Sequence, residues 1–432
     1  MYSVLFFSAL AAAAPATQST GSSYLAIPAH FKYGNYPRIT ADLLWGSPAQ
    51  KPVETIMDTG SAGFWVFGPN STINDGSNYL FVPGPCNKSV THFYDPKNSK
   101  SSKGRKQIDL AYAYGGNGKI VSGGYTVNDT ISFANTKWPA LTGQQVGITN
   151  HTLVKQLDAN CQIPESAFDH SILGLAPPKT GLIGVYPSFR DNLATSNPSM
   201  SSSFSAWFDA PPKAANGTFS GTILFGALPP ANKYSGKLVS VKLNPPTDTY
   251  LGYYVSMPTV AVSSIKAPTV FKTPTVSDKT VTRCLVDSGT GTDTLPISQS
   301  SVEKLSGLIT YQGYLAYNGS CSSIPASASF KFTFPGANAG QSVAVSLPIK
   351  NYARGTLVDE TKGKVCGLSV TLDDSSCVLG APFFSGAFLA FNDKPAQIAV
   401  AQGGVSTGQM SGLSGLGQMT VIPRGQKIPR AV

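Results

Sequence analysis

The chain has 432 residues, which is too long for one ordinary domain and long enough for two domains of about 200 residues with ample cores. Only 12% of the residues are charged while Gly (43) and Pro (32) are abundant, which excludes a helical bundle or a disordered chain and favours a β-rich, turn-rich protein. The net charge is +10, but the densest basic cluster, Lys97 to Lys106, has no interleaved aromatic residues, so nucleic-acid binding is not expected.

The N-terminal stretch carries a targeting pattern. Residues 1–16 contain a short apolar run, Val4 to Ala14, followed by Pro15 and Ala16, which is typical of a secretory signal peptide. A short segment, 17–25, separates it from the first strand-like residues. The apolar run is too short to cross a membrane and no other stretch is long and apolar enough, so no membrane anchor is expected.

The cysteines and the glycosylation motifs also indicate the secretory route. The chain has six Cys, an even number without any CxxC spacing, which favours disulfides over a metal or redox site. Sequons of the form Asn-x-Ser/Thr are typical of secreted chains, which end outside the cell or, alternatively, in a vacuole. The candidate glycosylation sites are Asn70, Asn87, Asn128, Asn150, Asn216 and Asn318.

One short motif occurs twice. Ile56 to Ser61 reads as two apolar residues, Asp58, a hydroxyl residue, Gly and a hydroxyl residue, and Leu285 to Thr290 repeats the pattern around Asp287. The two Asp are 229 positions apart, about one domain length, so each half of the chain brings one carboxylate. The preceding apolar residues indicate a buried strand, and Gly allows a tight turn directly after the Asp.

Two carboxyl groups brought together share one proton and titrate as a pair. One group can then take a proton from water while the other gives one to a carbonyl oxygen, which hydrolyses a peptide bond without a metal or a covalent intermediate. Paired carboxylates also serve glycoside hydrolases, but that interpretation does not predict the repeated motif.

The two motifs, Asp58-Thr59-Gly60-Ser61 and Asp287-Ser288-Gly289-Thr290 with Pro296 beyond, resemble the active-site motifs of pepsin-like aspartic proteases of the secreted fungal type. The resemblance covers roughly residues 26–401. It implies an all-β, bilobal fold with two pseudo-symmetric, β-barrel-like lobes and an active-site cleft between them. The implied division is an N-terminal lobe over 26–238, a C-terminal lobe over 239–402 and a flexible, Gly/Ser-rich basic tail over 403–432.

The resemblance also implies the roles of the site residues. Asp58 and Asp287 would be catalytic, at acid pH and without metal or cofactor, on an extended peptide bound by a monomer. The hydroxyl and glycine residues after each Asp would brace the loops and hold the carboxylates. These supporting residues are Thr59, Gly60, Ser61, Ser288, Gly289 and Thr290.

A glycine-rich hairpin is predicted over Ile108 to Phe133, where alternating apolar residues flank a tip that starts at Gly115. It resembles the family's flap, a mobile hairpin that closes over the substrate. The implied flap tyrosine is Tyr114, with Tyr112 as the alternative because the spacing is one residue longer than usual. Trp65 matches the position whose indole N–H supports that tyrosine.

Several positions depart from the family pattern. Asp293 stands where an apolar residue is usual and is expected to cap a turn or face solvent, with a pocket or dyad role as the alternative. Ala381 replaces a common Asp, which predicts one lost polar contact. His170 is expected to be a surface or turn residue. These departures and the short segment before the first strand leave a second hypothesis, a catalytically silent pepsin-fold binding or inhibitor-like protein.

The cysteines divide two and four between the implied lobes. Cys86 and Cys161 form the one pair possible within the first lobe. In the second lobe three pairings are possible. Cys321–Cys366 roughly fits the family's bridge, which favours Cys284–Cys377 as the other pair, since these two precede Asp287 and Gly380 by three residues each on strands expected to be neighbours.

Overall fold

The structure is a computed structural model, and strands make up most of it. It describes residues 24–34, 37–75, 87–114, 119–134, 139–154, 170–177, 188–210, 217–244, 252–263, 269–270, 275–276, 279–298, 302, 307–393, 396–405 and 419–432. None of the helices in these ranges is long and apolar enough to cross a bilayer. The predicted all-β class is confirmed.

In the described residues, the first half of the chain forms long strands and the helix α1 (Phe189–Ser196). The helix begins where Ser188 accepts a hydrogen bond from the Asp191 N–H, which is the N-cap arrangement expected of Ser. The elements are β1 (Leu25–Tyr33), β2 (Arg38–Trp45), β3 (Val53–Asp58), β4 (Phe64–Asp75), β5 (Asn87–Ser89), β6 (Lys103–Tyr114), β7 (Lys119–Phe133), β8 (Leu141–Val154), β9 (Ser171–Gly174), α1 (Phe189–Ser196), β10 (Phe204–Phe208), β11 (Gly217–Phe225), β12 (Ala227–Leu228) and β13 (Ser235–Ser240).

The described residues of the second half form shorter strands and a short buried helix, α2 (Ala381–Phe384). Its hairpin over 329–348 shows why these residues form strands: apolar residues alternate with polar ones, and every second side chain is buried. The elements are β14 (Tyr254–Ser256), β15 (Thr259–Ser263), β16 (Thr269–Val270), β17 (Thr275–Val276), β18 (Lys279–Thr280), β19 (Arg283–Val286), β20 (Asp293–Leu295), β21 (Leu308–Tyr311), β22 (Tyr314–Tyr317), β23 (Ser329–Pro335), β24 (Ser342–Pro348), β25 (Ala353–Asp359), β26 (Gly363–Leu372), β27 (Val378–Leu379), α2 (Ala381–Phe384), β28 (Ala387–Asn392), β29 (Gln397–Gln402) and β30 (Thr420–Val421).

The sheets repeat one arrangement in the two halves. In the first half β3 pairs in parallel with β9, and in the second half β19 pairs in parallel with β27. The strands β3 and β19 lead into the two Asp motifs. Strands β28 and β29, near the end of the chain, add to β10 and β13 of the first half, so one large sheet contains strands from both halves.

A buried cation joins the two halves. Arg190, at the start of α1, donates hydrogen bonds to the Leu175 carbonyl at 3.0 Å, to the Tyr253 hydroxyl at 2.6 Å and to an Asp393 carboxylate oxygen at 2.5 Å. Phe204 covers the other side of the guanidinium, with its ring centroid 5.2 Å from Cζ. A buried charge is stable only when it is paired and hydrogen-bonded, so these contacts make the two halves mutually dependent.

The C-terminal residues correct one prediction. The Gly- and Ser-rich composition predicts a flexible tail over 403–432, but 419–432 folds back on the molecule: β30 pairs with β12, and Ile422 and Ile428 are buried. The prediction is therefore wrong for this part, because a few apolar side chains find an apolar surface to cover. Residues 406–418 lie outside the described residues.

The disulfide pairing in the second half is the one favoured from the sequence. Cys284 is bonded to Cys377 and Cys321 to Cys366. The first of these bonds joins β19 to the residue just before β27, close to the second Asp motif. Cys86 and Cys161 lie outside the described residues.

Candidate active site

The two Asp motifs meet in the middle of the molecule and brace each other. The Thr59 N–H donates to the Ser288 hydroxyl at 2.9 Å, and the Ser288 N–H donates to the Thr59 hydroxyl at 2.9 Å. Each hydroxyl in turn donates across the contact, from Thr59 to the Val286 carbonyl at 2.9 Å and from Ser288 to the Met57 carbonyl at 2.6 Å. All four bonds cross between the halves, so each loop holds the other in place.

The Asp58 carboxylate is held by its own loop. It accepts a hydrogen bond from the Gly60 N–H at 2.8 Å on one oxygen and from the Ser61 hydroxyl at 2.5 Å on the other. The residue is buried, with 4% of its surface exposed. Its remaining lone pairs face the second loop.

The Asp287 carboxylate has the equivalent partners. It accepts from the Gly289 N–H at 2.9 Å on one oxygen and from the Thr290 hydroxyl at 2.7 Å on the other. Unlike Asp58, it is only partly buried. The two loops therefore present their carboxylates with the same hydrogen-bond geometry but with different access to solvent.

The glycines show how closely the carboxylates approach the opposite loop. A methyl group built on Gly60 would lie 2.4 Å from the Asp287 carboxyl carbon, and one on Gly289 would lie 2.3 Å from an Asp58 oxygen. Only a residue without Cβ leaves this space. Each glycine thus admits the carboxylate of the other half, and the two acids face each other across the contact.

This proximity changes the acidity of the first carboxyl. Burial raises the pKa of Asp58 and the nearby Asp287 raises it further, while the hydrogen bonds from Ser61 and Gly60 oppose the rise. The carboxyl therefore keeps a proton at a pH where an exposed Asp would have lost it. A pair that can hold one proton at a shared position is suited to general acid–base chemistry.

The predicted hairpin is formed by β6 and β7, with Tyr114 opposite Lys119 in the register. Trp65 is fully buried, and its indole N–H donates to the Tyr114 hydroxyl at 2.6 Å. Tyr112, the alternative, instead stacks on the Trp65 ring with a centroid distance of 6.3 Å. Trp65 therefore hydrogen-bonds Tyr114 rather than Tyr112, and Gly115 lies outside the described residues.

Lys119, the first residue of β7, is a buried lysine that the sequence did not lead us to expect. Lys119 lies with Nζ 5.0 Å from the centre of the Trp65 ring and donates to the His170 carbonyl at 3.4 Å. His170 is itself buried, with Nε2 3.3 Å from a Glu54 oxygen, so its expected surface position is wrong. A lysine directly after a glycine-rich tip is the only sequence signal for this contact, and charged residues in hairpins are usually exposed.

Of the two positions predicted for Asp293, the structure supports the contact with a turn and not the solvent-facing position. Asp293 is completely buried, and its carboxylate accepts from the Tyr352 hydroxyl at 2.8 Å and the Gly380 N–H at 2.7 Å. Burial raises the pKa of Asp293 to about 7, against the effect of these hydrogen bonds. The polar contact expected to be lost at Ala381 is therefore supplied to the same turn by Asp293 from a neighbouring strand.

Three of the glycosylation candidates lie at the surface of the described residues. Asn70, Asn150 and Asn318 are exposed, and Asn128 is half-buried on β7. The side chain of Asn87 and the whole of Asn216 lie outside the described residues. In the described ranges no cluster of three or more His, Cys, Asp or Glu side chains could hold a metal ion.

A two-half β protein with a braced Asp-hydroxyl-Gly-hydroxyl loop from each half belongs to the pepsin-like class of folds. Residues 40–403 match the sequence profile of the family described as eukaryotic aspartyl protease, and the chain belongs to that family. A relative is Aspartic protease 17 of Caenorhabditis elegans, 26% identical over 193 residues. That match covers 44% of this chain and 43% of the relative, so the chain matches less than half of the relative's length.

Proposed function

We propose that this chain is an aspartic endopeptidase in which Asp58 and Asp287 together activate one water molecule. The observation that carries the proposal is the reciprocal contact of the loops, in which each carboxylate lies against the glycine of the other half. Membership of the aspartyl protease family supports peptide hydrolysis. The two acids need no further group to perform this chemistry.

In the proposed reaction the ionised member of the pair takes a proton from water, and the water oxygen attacks the peptide carbonyl carbon. The protonated member gives its proton to the carbonyl oxygen, which forms a neutral tetrahedral diol. In the second step a carboxyl donates a proton to the amide nitrogen, the C–N bond breaks, and the other carboxylate takes a hydroxyl proton. Products are one carboxylic acid and one amine, and the pair again holds one proton.

The raised pKa of Asp58 supports activity at acid pH. The pair must keep one proton to act, and burial together with the charge of Asp287 favours its retention. Activity should therefore be present while the pair holds that proton and fall as rising pH removes it. Neither step calls on a metal or a cofactor.

Substrate would bind as an extended peptide between the proposed lobes, 26–238 and 239–402. The hairpin carrying Tyr114 and Gly115 would close over it, and the hydrogen bond from Trp65 would hold the Tyr114 hydroxyl in the closed position. Closure would exclude water from the acids and strengthen their hydrogen bonds to the substrate.

We also propose that the protein is a secreted protease of the fungal type that acts as a monomer, and that residues 1–16 are removed on secretion. Two disulfides in the described residues support an oxidising compartment, for which the vacuole is the alternative destination. Exposed sequons at Asn70, Asn150 and Asn318 are compatible with glycosylation on this route.

The test is cleavage of a denatured protein in mild acid by the purified, secreted protein, with and without a transition-state-mimicking inhibitor such as pepstatin. We expect inhibitable cleavage by the native chain and none by Asp287→Asn, while Asp374→Asn, an exposed carboxylate of the same half, keeps full activity. Cleavage that survives in Asp287→Asn contradicts the proposed role of the two acids. A folded native chain without activity contradicts the proposed peptidase and favours a binding protein.

A further inference from the structure

We propose that Asp293 is a positioning residue for Asp287: its buried carboxylate clamps the turn at Gly380 that holds the second aspartate loop. This inference rests on the proposed function, since it assigns Asp293 a part in presenting one of the two acids. Asp293 does not touch the substrate in this proposal and acts only through the turn.

The clamp consists of two short hydrogen bonds in a fully buried position. One Asp293 oxygen accepts from the Gly380 N–H at 2.7 Å, and the other accepts from the Tyr352 hydroxyl at 2.8 Å. Tyr352 is itself fully buried, and burial raises the pKa of its hydroxyl well above the usual range, so it remains a donor. A buried carboxyl group that is hydrogen-bonded on both oxygens has little freedom to move.

The clamped turn contacts Asp287 along two routes. Directly before Gly380, the Leu379 carbonyl accepts from the Asp287 N–H at 2.9 Å. Directly after it, the Ala381 N–H donates to the Thr290 carbonyl at 2.8 Å, and the Thr290 hydroxyl holds an Asp287 carboxylate oxygen. Gly380 thus lies between the two residues that fix the backbone and the side chain of the second acid.

The turn needs such a clamp because of its composition. A methyl group on Gly380 would lie 2.3 Å from the Thr292 carbonyl oxygen, so glycine is required there. Glycine has more backbone freedom than any other residue type. Ala381 offers no polar side chain to compensate. Asp293 supplies the missing side-chain contact from the adjacent strand, β20.

The main experiment compares Asp293→Leu with Asp293→Asn. The Asn side chain keeps an oxygen for the Gly380 N–H, whereas Leu, which has the same branched shape but is larger, leaves this N–H without an acceptor. We expect kcat of Asp293→Leu to fall by about ten- to a hundredfold with KM within about twofold, because a displaced acid slows only the chemical steps. Asp293→Asn should recover kcat to within about threefold of the native chain.

The second readout is independent of activity. Hydrogen exchange followed by mass spectrometry on the same proteins should be faster in peptides containing Asp287 and Ala381 for Asp293→Leu, and unchanged around Asp58. Tyr352→Phe, which removes one of the two donors, should give a smaller increase at the same place. Asp374→Asn serves as the control in both measurements.

The outcomes separate this inference from the proposed function. If Asp293→Leu folds and keeps both kcat and the exchange pattern of the native chain, the positioning role is overturned while peptide hydrolysis stands. If exchange rises equally around Asp58 and Asp287, Asp293 is merely structural and the inference is also overturned. If the native chain proves inactive, the proposed function fails, and local loosening around Asp287 still decides whether Asp293 fixes that loop.

Discussion

The two aspartate loops share one hydrogen-bond scheme and rest on different supports. Six residues after Asp58 the first half has Phe64, whose ring packs against Trp45 with centroids 5.4 Å apart. Six residues after Asp287 the second half has Asp293, a buried carboxylate. The loop geometry therefore depends on the glycines and hydroxyls, whereas the layer beneath can be apolar or ionisable. An ionisable support makes the second half sensitive to pH.

The largest expected effect follows from the glycines that the loops have in common. Gly60→Ala and Gly289→Ala each place a methyl group against the carboxylate of the other half, so either change should lower peptide cleavage by at least about 10³-fold. Cleavage rates at acid pH measure this. The matched control is Gly124→Ala on β7, where a methyl group meets no atom within 4 Å. If the two variants lose unequal amounts of cleavage activity, the loops share one geometry but do not contribute equally to catalysis.

A second prediction concerns a difference between the loops. Cys284 and Cys377 tie the second loop to its neighbouring strand, and the equivalent positions in the first half are Thr55 and Ser171, which are paired in register without a covalent bond. Replacing both Cys with Ala should lower the free energy of unfolding by about 4 kcal/mol, because the bond closes a long loop in the unfolded chain. Urea unfolding without reductant measures this, and a cost below about 1 kcal/mol would contradict it.

The ionisable support predicts a pH-dependent stability. The pKa of Asp293 is about 7 in the folded protein and about 3.9 in an unfolded chain, so the folded state binds this proton more tightly. Its contribution to stability is fully present below about pH 4 and is lost as pH rises toward 7. Between about pH 4 and pH 7, Asp293→Asn should lose about 3 kcal/mol less unfolding free energy than the native chain.

Unfolding in urea at several pH values measures this difference between Asp293→Asn and the native chain. Asp58, whose pKa is also raised, contributes in the same direction in both proteins, so the difference between them isolates Asp293. Parallel stability curves for the two proteins would show that Asp293 binds no extra proton on folding.

The smallest expected effect tests the braces that the loops share. Thr59→Val and Ser288→Ala each leave a buried N–H of the other loop without its acceptor, and each should cost about 2 kcal/mol. The double variant should cost less than the sum of the two, because the bonds belong to one network. Chemical unfolding measures all three, and a much larger cost for one variant would show that the braces are not equivalent.

Much of the site could be predicted from local patterns. The repeated motif locates Asp58 and Asp287, and the hairpin pattern locates the β6–β7 hairpin, because strands and glycine-rich turns are specified by nearby residues. The pattern leaves Tyr114 and Tyr112 as alternatives for the tyrosine near its tip. The pairing of Cys284 with Cys377 followed from their equal spacing to two neighbouring loops. These features depend on short stretches whose relation is fixed by the repeat.

Other features depend on contacts between distant residues, which a single sequence does not reveal. Nothing near Asp293 in the chain indicates that Tyr352 and Gly380 will supply its donors. Lys119 and His170 are similar, since their burial depends on strands that meet only in the folded protein. The docking of residues 419–432 is another such feature, because the composition is typical of a linker while Ile422 and Ile428 are buried only in the folded protein.

The docked end has a consequence for biosynthesis. Ile422 and Ile428 belong to one apolar cluster with Ala26 and Leu224, so the first strand to leave the ribosome shares its cluster with residues nearly 400 positions later. Contacts between residues so far apart in the sequence form slowly, because closing a long loop costs entropy before the contacts can stabilise the fold. The nascent chain therefore leaves this apolar cluster incomplete until Ile422 and Ile428 have been synthesised, and the apolar side chains of the cluster stay exposed for that interval.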